Sequence, residues 1–373
     1  ASTATKYIRT DFRKDNELTM CKPDTTIITD IGVNTIVNQK WVLTSRPNGV
    51  FNPTNDVELI TEKLALSLTA DDNDDNDACP DDHVVVKVDT LSVDAFIRTM
   101  LDEEAYHGSV SLGSTLPALG YGTVIHAGKK ASQKVGTKVV GMMGAQTYAT
   151  LSDKGLTTHI QFPFMKPSAS LGLMGLTTGL TAYVGSFYVL SPPKKGQTVV
   201  VTGATGAVGS MAVQLLTTTG ARVVGIAGGP KKNQFLLEEL KAAAAVDYKH
   251  PERTLDEQLA EACPDGIDFI YDNVGGDTLD TLLGRINPGG KVVICGAISQ
   301  YSGNLNVGKV QGPGNYLKLA ERGATMKGFN VMQYMYKLPL AILGMFYYSV
   351  VRGKVKMTEQ IEQGVESFPH ALE

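Results

Sequence analysis

The residues best suited to chemistry fall in groups that could hold a phosphorylated ligand and act beside it. One is the glycine turn of "VVVTGATGAVGSMAVQLL", residues 199–216. Gly203, Gly206 and Gly209 permit a tight turn, admit a ligand close to the backbone and let a helix pack closely on the preceding strand. Ala204, Gly206, Ala207, Val208 and Gly209 are the candidate phosphate-binding positions, since free amides and the helix dipole at a helix start favour an anion. Alanine stands where GxGxxG has its first glycine, so the turn alone is equally consistent with a plain glycine turn. A second group, Gly228, Gly229, Pro230, Lys231 and Lys232, follows "RVVGIA". A carboxylate there would accept the ribose 2'-hydroxyl of NAD, but no acid occurs before Glu238 and two lysines suit a 2'-phosphate. The cofactor expected is NADPH. Asn273, within Asp272–Gly276, and the run from Cys295 through Ala297 and Ile298 to Tyr301 bring polar groups to the ends of two further apolar runs.

Such groups need a sheet to position them. Apolar β-branched runs at 198–201, "RVVGIA", "AAVDYK", "GIDFIYD" and "GGKVVIC" alternate with amphipathic stretches such as "TLDEQLAEAC" and "DTLDTLLGRI", the pattern of a doubly wound parallel α/β sheet. Ligands of such sheets bind at the carboxyl ends of the strands, where Asn273 and Tyr301 fall. Ahead of this unit, "WVLTSR", "DVELITEKLAL", "HVVVKVDTLSV", "GYGTVIHAG" and "TKVVGMMGAQTYATL" read as short strands divided by Gly, Pro, Asn and Asp, as in a small β-barrel. "SASLGLMGLTTGLTAYVGSFYVL" reads as helices rich in small residues.

Composition narrows the classes. A chain of 373 residues suits about two domains, and a formal net charge of −4 with no basic aromatic patch gives no sign of nucleic-acid binding. Cys21, Cys79, Cys263 and Cys295 form no CxxC or Cys/His cluster, and His83, His107, His126, His159 and His250 have no ligand partner at helpful spacing, so no metal is expected. The cysteine usage fits a reducing, cytoplasmic compartment. No apolar stretch reaches the length that spans a bilayer.

From about Asn38 onward, "NQKWVLTSRPNG", "LSVDAFIR", "LGLMGLTTGLTAYVG", "GATGAVG", "AGGPKK", "VDYK", "DNVGG" and "CGAISQY" resemble, in order, the zinc-independent medium-chain reductases of the prostaglandin, leukotriene, alkenal and curcumin reductase group. The resemblance implies a GroES-like β-barrel substrate domain joined to a Rossmann domain. It also implies NADPH-dependent reduction of the carbon–carbon double bond of α,β-unsaturated ketones and aldehydes. By this resemblance Lys232 is the 2'-phosphate lysine, Tyr248 the adenosine-side tyrosine, Asn273 a cofactor-contacting asparagine and Tyr301 the tyrosine near the nicotinamide. A hydroxyl donating to the developing enolate would lower the barrier to hydride transfer, with Tyr301 and the cofactor ribose as candidates. Quinone reduction, and NADPH binding without catalysis, are the rival readings.

The expected layout is an N-terminal extension over 1–37, the barrel domain over 38–170, the Rossmann domain over 171–335 and a return toward the barrel over 336–373. The extension reads either as an organellar leader remnant or as an expression boundary. Ala95, Phe96 and Ile97 replace the family's Pro, Tyr and Met, and Ala145 stands where relatives often carry tryptophan, so a wider or differently shaped pocket is expected. The sequence runs to "ESFPHALE", short of the relatives' "GKNxGK", so the expectation is either that the sequence is trimmed or that the final cofactor contact is supplied differently. "DDNDDNDACPDD" is read as a solvated acidic loop, because Asp71, Asn73, Asp75 and Asp82 lack the glycine and terminal glutamate of a calcium loop. Finally, residues 338–351, "LPLAILGMFYYSVV", carry no charge, and their outer face is expected to meet another subunit of a homodimer, another protein or a membrane surface.

Overall fold

The computed structural model describes residues 5–10, 28–30, 33–67, 79–105, 108–302 and 312–373. The calcium-loop candidates Asp71, Asn73 and Asp75, together with Cys21 and His107, lie outside them. Contacts divide the chain into two units, one of Lys6–Gln161 with Ile361–Glu373, the other built on Phe162–Gln360.

The first unit is antiparallel. Its elements are β1 (Thr5–Arg9), β2 (Ile28–Asp30), β3 (Val33–Leu43), β4 (Val57–Ser67), β5 (His83–Val93), the short helix α1 (Phe96–Met100), β6 (Leu119–Ala127), β7 (Lys138–Met142), β8 (Tyr148–Ser152) and β9 (Thr157–Thr158). β5 is the spine: it pairs with β6 along one edge, and with β1 and β8 in turn along the other. Its β-branched residues Val84, Val86 and Val88 point one way and meet Leu43 and Val57 of the β2-β3-β4 sheet in one core. Asn38 on β3 is buried within this unit and fully engaged. Its Nδ2 donates to Glu62 Oε1 (3.0 Å) and Gln146 Oε1 (3.1 Å), and its Oδ1 accepts from Thr147 Oγ1 (3.1 Å) and Tyr148 N (2.9 Å).

The second unit runs α2 (Gly179–Phe187), β10 (Thr198–Val201), α3 (Ala207–Thr217), β11 (Arg222–Ala227), α4 (Pro230–Glu238), β12 (Ala244–Asp247), α5 (Leu255–Ala262), β13 (Ile267–Asp272), α6 (Gly276–Gly284), β14 (Ile286–Ile294), α7 (Leu317–Arg322), β15 (Thr325–Gly328) and α8 (Leu338–Phe346). Its strands are parallel in the order β12-β11-β10-β13-β14-β15, so the winding reverses between β10 and β13. Both faces of the sheet are covered: Val199, Val201, Phe269 and Tyr271 join one core, Val200, Ile267 and Ile270 the other. This is why these strands read as continuous apolar runs. Tyr271 crosses from the sheet to α2. A methyl group at Gly185 would come within 2.5 Å of its hydroxyl, and that hydroxyl donates to Thr181 O (3.3 Å).

The chain then forms β16 (Glu359–Gln363) and α9 (Phe368–Leu372). β16 lies beside β1, giving the order β16-β1-β5-β6-β7-β9 with β8 off this path on β5, and Phe368 enters the core of the antiparallel unit. The division of the chain therefore differs from the expected one. It falls at Gln161/Phe162 rather than after 170, and the C-terminal part changes unit between Gln360 and Ile361. The expected extension over 1–37 contains β1, and β3 begins at Val33, because these short segments gain their partners from strands far along the chain.

Candidate cofactor and active site

The glycine turn sits at the carboxyl end of β10, beside the switch point. Gly203 takes φ +56°, a conformation that favours glycine, and Gly206 N donates back to Gly203 O (2.9 Å), closing the turn. Ala204 N donates to Ile226 O (3.0 Å), tying the turn to β11. Gly206 caps α3 without any side-chain hydrogen bond, so the first amides of α3, from Ala207, Val208 and Gly209, have no capping side chain. A Cβ at Gly209 would collide with Gly203 O, so helix and turn are in backbone contact. An uncapped helix start reached over bare glycine backbone fits a pyrophosphate.

At the end of β11, Gly229 takes φ +89° and opens α4, on whose first turn Lys231 and Lys232 lie. Gly229 N donates to Asp247 Oδ1 (2.8 Å), which also accepts from Lys249 N (2.9 Å), so the strand ends of β11 and β12 are pinned together. Tyr248, exposed, lies over Gly228: a methyl group there would come within 2.8 Å of the ring.

The third part is a hydrogen-bonded knot at the end of β13. Thr202 Oγ1 donates to Asp272 Oδ1 (2.7 Å) and accepts from Asn273 N (2.8 Å), while Asn273 Nδ2 donates to Thr202 O (2.7 Å). Asp272 also takes Gly275 N on Oδ2 (3.0 Å) and Val274 N on Oδ1 (3.2 Å). Burial pushes its carboxyl above the ordinary carboxylate value, against the pull of these donors. The loop after β14 is sewn to the same place. Cys295 N and Gly296 N donate to Asp272 O (2.8 and 3.2 Å), and Ile298 N donates to Asn273 O (3.1 Å). Tyr301 folds back over this loop, where its Oη accepts from Ala297 N (3.4 Å). A methyl group at Gly296 would lie 3.1 Å from Tyr301 Oη and 3.3 Å from Asn273 O, so Asn273, Ala297 and Tyr301 share one small region. Burial pushes the Cys295 thiol up to about 12, although the neighbouring Tyr271 hydroxyl pulls the other way.

Every sequence-derived site position thus lies at the carboxyl edge of one sheet. Thr202 is an addition to the residues expected from the sequence, and Asp272, expected only as part of the strand end that carries Asn273, gains a role as the centre of the knot. The only hint of these roles was a polar residue ending each of two otherwise apolar runs. Ile97 and Ala145, read as pocket-shaping, are enclosed in the core of the antiparallel unit, with Phe96 packed against it. Among the described residues no group of three or more His, Cys, Asp or Glu is placed to hold a metal.

Comparison with known proteins agrees with this arrangement. Residues 39–159 match the family described as N-terminal domain of oxidoreductase, and residues 207–342 the family described as zinc-binding dehydrogenase. The chain is 32% identical to the NADP(+)-dependent 2-alkenal reductase of Nicotiana tabacum, over 90% of this chain and 93% of that protein. The chain belongs to the zinc-independent medium-chain reductases. Within this family it is also 32% identical to the NADPH-dependent curcumin reductase of Escherichia coli K12, over 90% of this chain and 92% of that protein. Among solved structures, CurA from Vibrio vulnificus superposes with a TM-score of 0.78 at 30% identity, covering 90% of this chain and 94% of its own, and its NADPH complex with 0.76 at 29%. As a medium-chain reductase, the chain has its glycine turn, β11 exit and β13 exit where the parallel sheet of the fold binds a dinucleotide.

Proposed function

We propose that this chain reduces the carbon–carbon double bond of α,β-unsaturated ketones and aldehydes with NADPH. The observation that carries the reading is an uncapped α3 start beside a β11 exit whose own residues bring Lys231 and Lys232 and no acid before Glu238, in a chain related to NADPH-dependent reductases. The Asp247 carboxylate there is engaged by Gly229 N and Lys249 N. Bound NADPH supplies a hydride, which passes to the substrate β-carbon. The amides of Ala207, Val208 and Gly209 would hold the pyrophosphate over the bare turn of Ala204 and Gly206, whose own amides are engaged by Ile226 O and Gly203 O. Lys232 would neutralise the 2'-phosphate and Tyr248 would cover the adenosine side. Asn273, fixed by Thr202, and the Cys295–Ile298 loop set the nicotinamide side. Tyr301 donates its hydroxyl proton as a hydrogen bond to the carbonyl oxygen as negative charge gathers there, and solvent later protonates the α-carbon.

The test is NADPH oxidation against matched enones, enals and quinones. Faster turnover of enones and enals supports the reading, and preference for quinones replaces it with quinone reduction. Tight NADPH binding without turnover of any of them would leave only a binding protein. A homodimer is proposed as well, joined along β15, an edge strand whose residues are all exposed and whose outer edge a two-fold axis could pair with itself. Mass in solution checks it.

A further inference from the structure

The segment from Val331 to Val351 carries an apolar stripe that the rest of the described chain leaves uncovered. α8 and the π-helical turn Tyr347–Val351 that continues it bury Ala341 and Met345 against the parallel unit, where Gly344 meets the Tyr183 ring of α2. At helical spacing on the opposite face stand Tyr336 (73% exposed), Leu340 (61%), Leu343 (65%), Tyr347 (42%) and Val351 (62%). Large apolar groups in a continuous exposed row mark a contact surface.

The charge carried by this stretch of the chain has a single sign. Between Arg322 and Thr358 there is no Asp or Glu, whereas Arg322, Lys327, Lys337, Arg352, Lys354 and Lys356 are basic. A basic group stands at each end of the stripe. Lys337 Nζ lies 4.8 Å from the Tyr188 ring centre and 5.7 Å from that of Tyr336 at one end, and Arg352 Nη1 donates to Tyr347 Oη (3.2 Å) at the other. An apolar helix face with tyrosine and Lys or Arg at its ends suits the boundary between acyl chains and headgroups, where the rings and long aliphatic stems stay apolar and the cations stay wet. A second copy placed two-fold on the same face would bring like charges together at its rim, which a bilayer with anionic headgroups would instead neutralise. No helix among the described residues is long and apolar enough to cross a membrane, so such contact would be along the surface.

We propose that the Tyr336–Val351 face binds the surface of anionic lipid bilayers. Sedimentation of the full chain with vesicles tests it, comparing phosphatidylcholine alone with phosphatidylcholine mixed with phosphatidylserine, and solution mass is measured alongside. The wild type is expected to bind the mixed vesicles, more weakly at high salt. Lys337→Gln and Arg352→Gln should each weaken binding roughly fivefold. Leu340→Gln with Leu343→Gln should weaken it roughly tenfold or more, while enone reduction in vesicle-free solution stays unchanged. Leu343→Ser alone serves if the double variant fails to fold. No binding to mixed vesicles at low salt, equal binding to phosphatidylcholine alone, or leucine variants that bind as well as wild type would overturn the proposal. So would a fall in solution mass of those variants with vesicle binding unaltered, which would assign the face to a second copy.

Discussion

Asn273 and Thr202 are joined by two hydrogen bonds of opposite direction, Asn273 N to Thr202 Oγ1 (2.8 Å) and Asn273 Nδ2 to Thr202 O (2.7 Å). The asparagine side chain is thereby fixed from below by the end of β10, and the same threonine hydroxyl donates to the buried Asp272. Thr202→Val removes that donor and acceptor while keeping the shape. A loss of about 1–3 kcal/mol in urea unfolding is expected, with weaker NADPH binding, and Thr202→Ser should retain most of both. The deficit should depend on pH. The native Asp272 carboxyl is already raised above its ordinary 3.8 by burial, and losing the Thr202 donor raises it further. Below pH 3.8 the group is protonated in both states and this part of the deficit vanishes; it grows as pH rises through the raised native value. A deficit independent of pH would remove Asp272 from the account.

Lys232→Ala should weaken NADPH far more than NADH. A charge-assisted contact to the 2'-phosphate is worth about 1.5–3 kcal/mol, or roughly tenfold or more in Kd. Equal losses for the two cofactors, read by fluorescence titration, would show that Lys232 does not read the phosphate.

Tyr301→Phe should lower kcat for a good enone while the Kd for NADPH changes little. Losing one donor to a developing oxyanion costs about a hundredfold, less where the ribose hydroxyl compensates. Unchanged kcat would exclude the tyrosine from this role.

Cys295 should be inert in the folded protein despite its place on the cofactor loop. With its thiol half-buried and pushed up to about 12, it is far less ionised at pH 8 than an ordinary thiol. Iodoacetamide should therefore label it at least roughly tenfold more slowly in the native than in the unfolded chain, as followed by peptide mass spectrometry. Because the native value lies above the ordinary 9.0, any stability this group contributes is complete below pH 9 and fades as pH rises toward 12.

Asn38→Leu should cost about 2–3 kcal/mol, because it leaves Thr147 Oγ1, the Tyr148 amide and part of the Glu62–Gln146 pair without the partner they have in a buried site. Urea unfolding checks it, and a change under about 0.5 kcal/mol would mean that water takes the place of the amide.

The parts of the fold legible in the sequence were those written in neighbouring residues. β10, its glycine turn and α3 are contiguous, so composition and spacing located them, and Lys232 follows from the residues that end β11. What stayed hidden depends on partners far along the chain. Thr202 and Asp272 are seventy positions apart and meet only because β10 and β13 are neighbours at the switch point. β1, "TKYIR", looks like part of a polar leader until β5 supplies its pairing from Lys6↔Val93 to Arg9↔Thr90. The unit boundary was misplaced for the same reason. Lys166 and Ser168 fall within the 38–170 span read as the barrel domain, yet both bond to Glu359, which belongs with them to the unit of the parallel sheet. For 338–351 the lack of charge was plain in the sequence, but which residues form the outer face emerges only from the packing of Ala341 and Met345.

Tyr271 links two regions that no backbone bond connects. Its ring lies against Gly185 of α2, and its hydroxyl donates to Thr181 O of the same helix. The side chain therefore acts as a spacer of fixed length. α2 cannot settle closer to β13 without displacing this ring, and it cannot lift without losing the bond at Thr181 O. A phenylalanine in its place would keep the volume and remove the tether, so that amides of α2 would exchange faster while those of β13 would not.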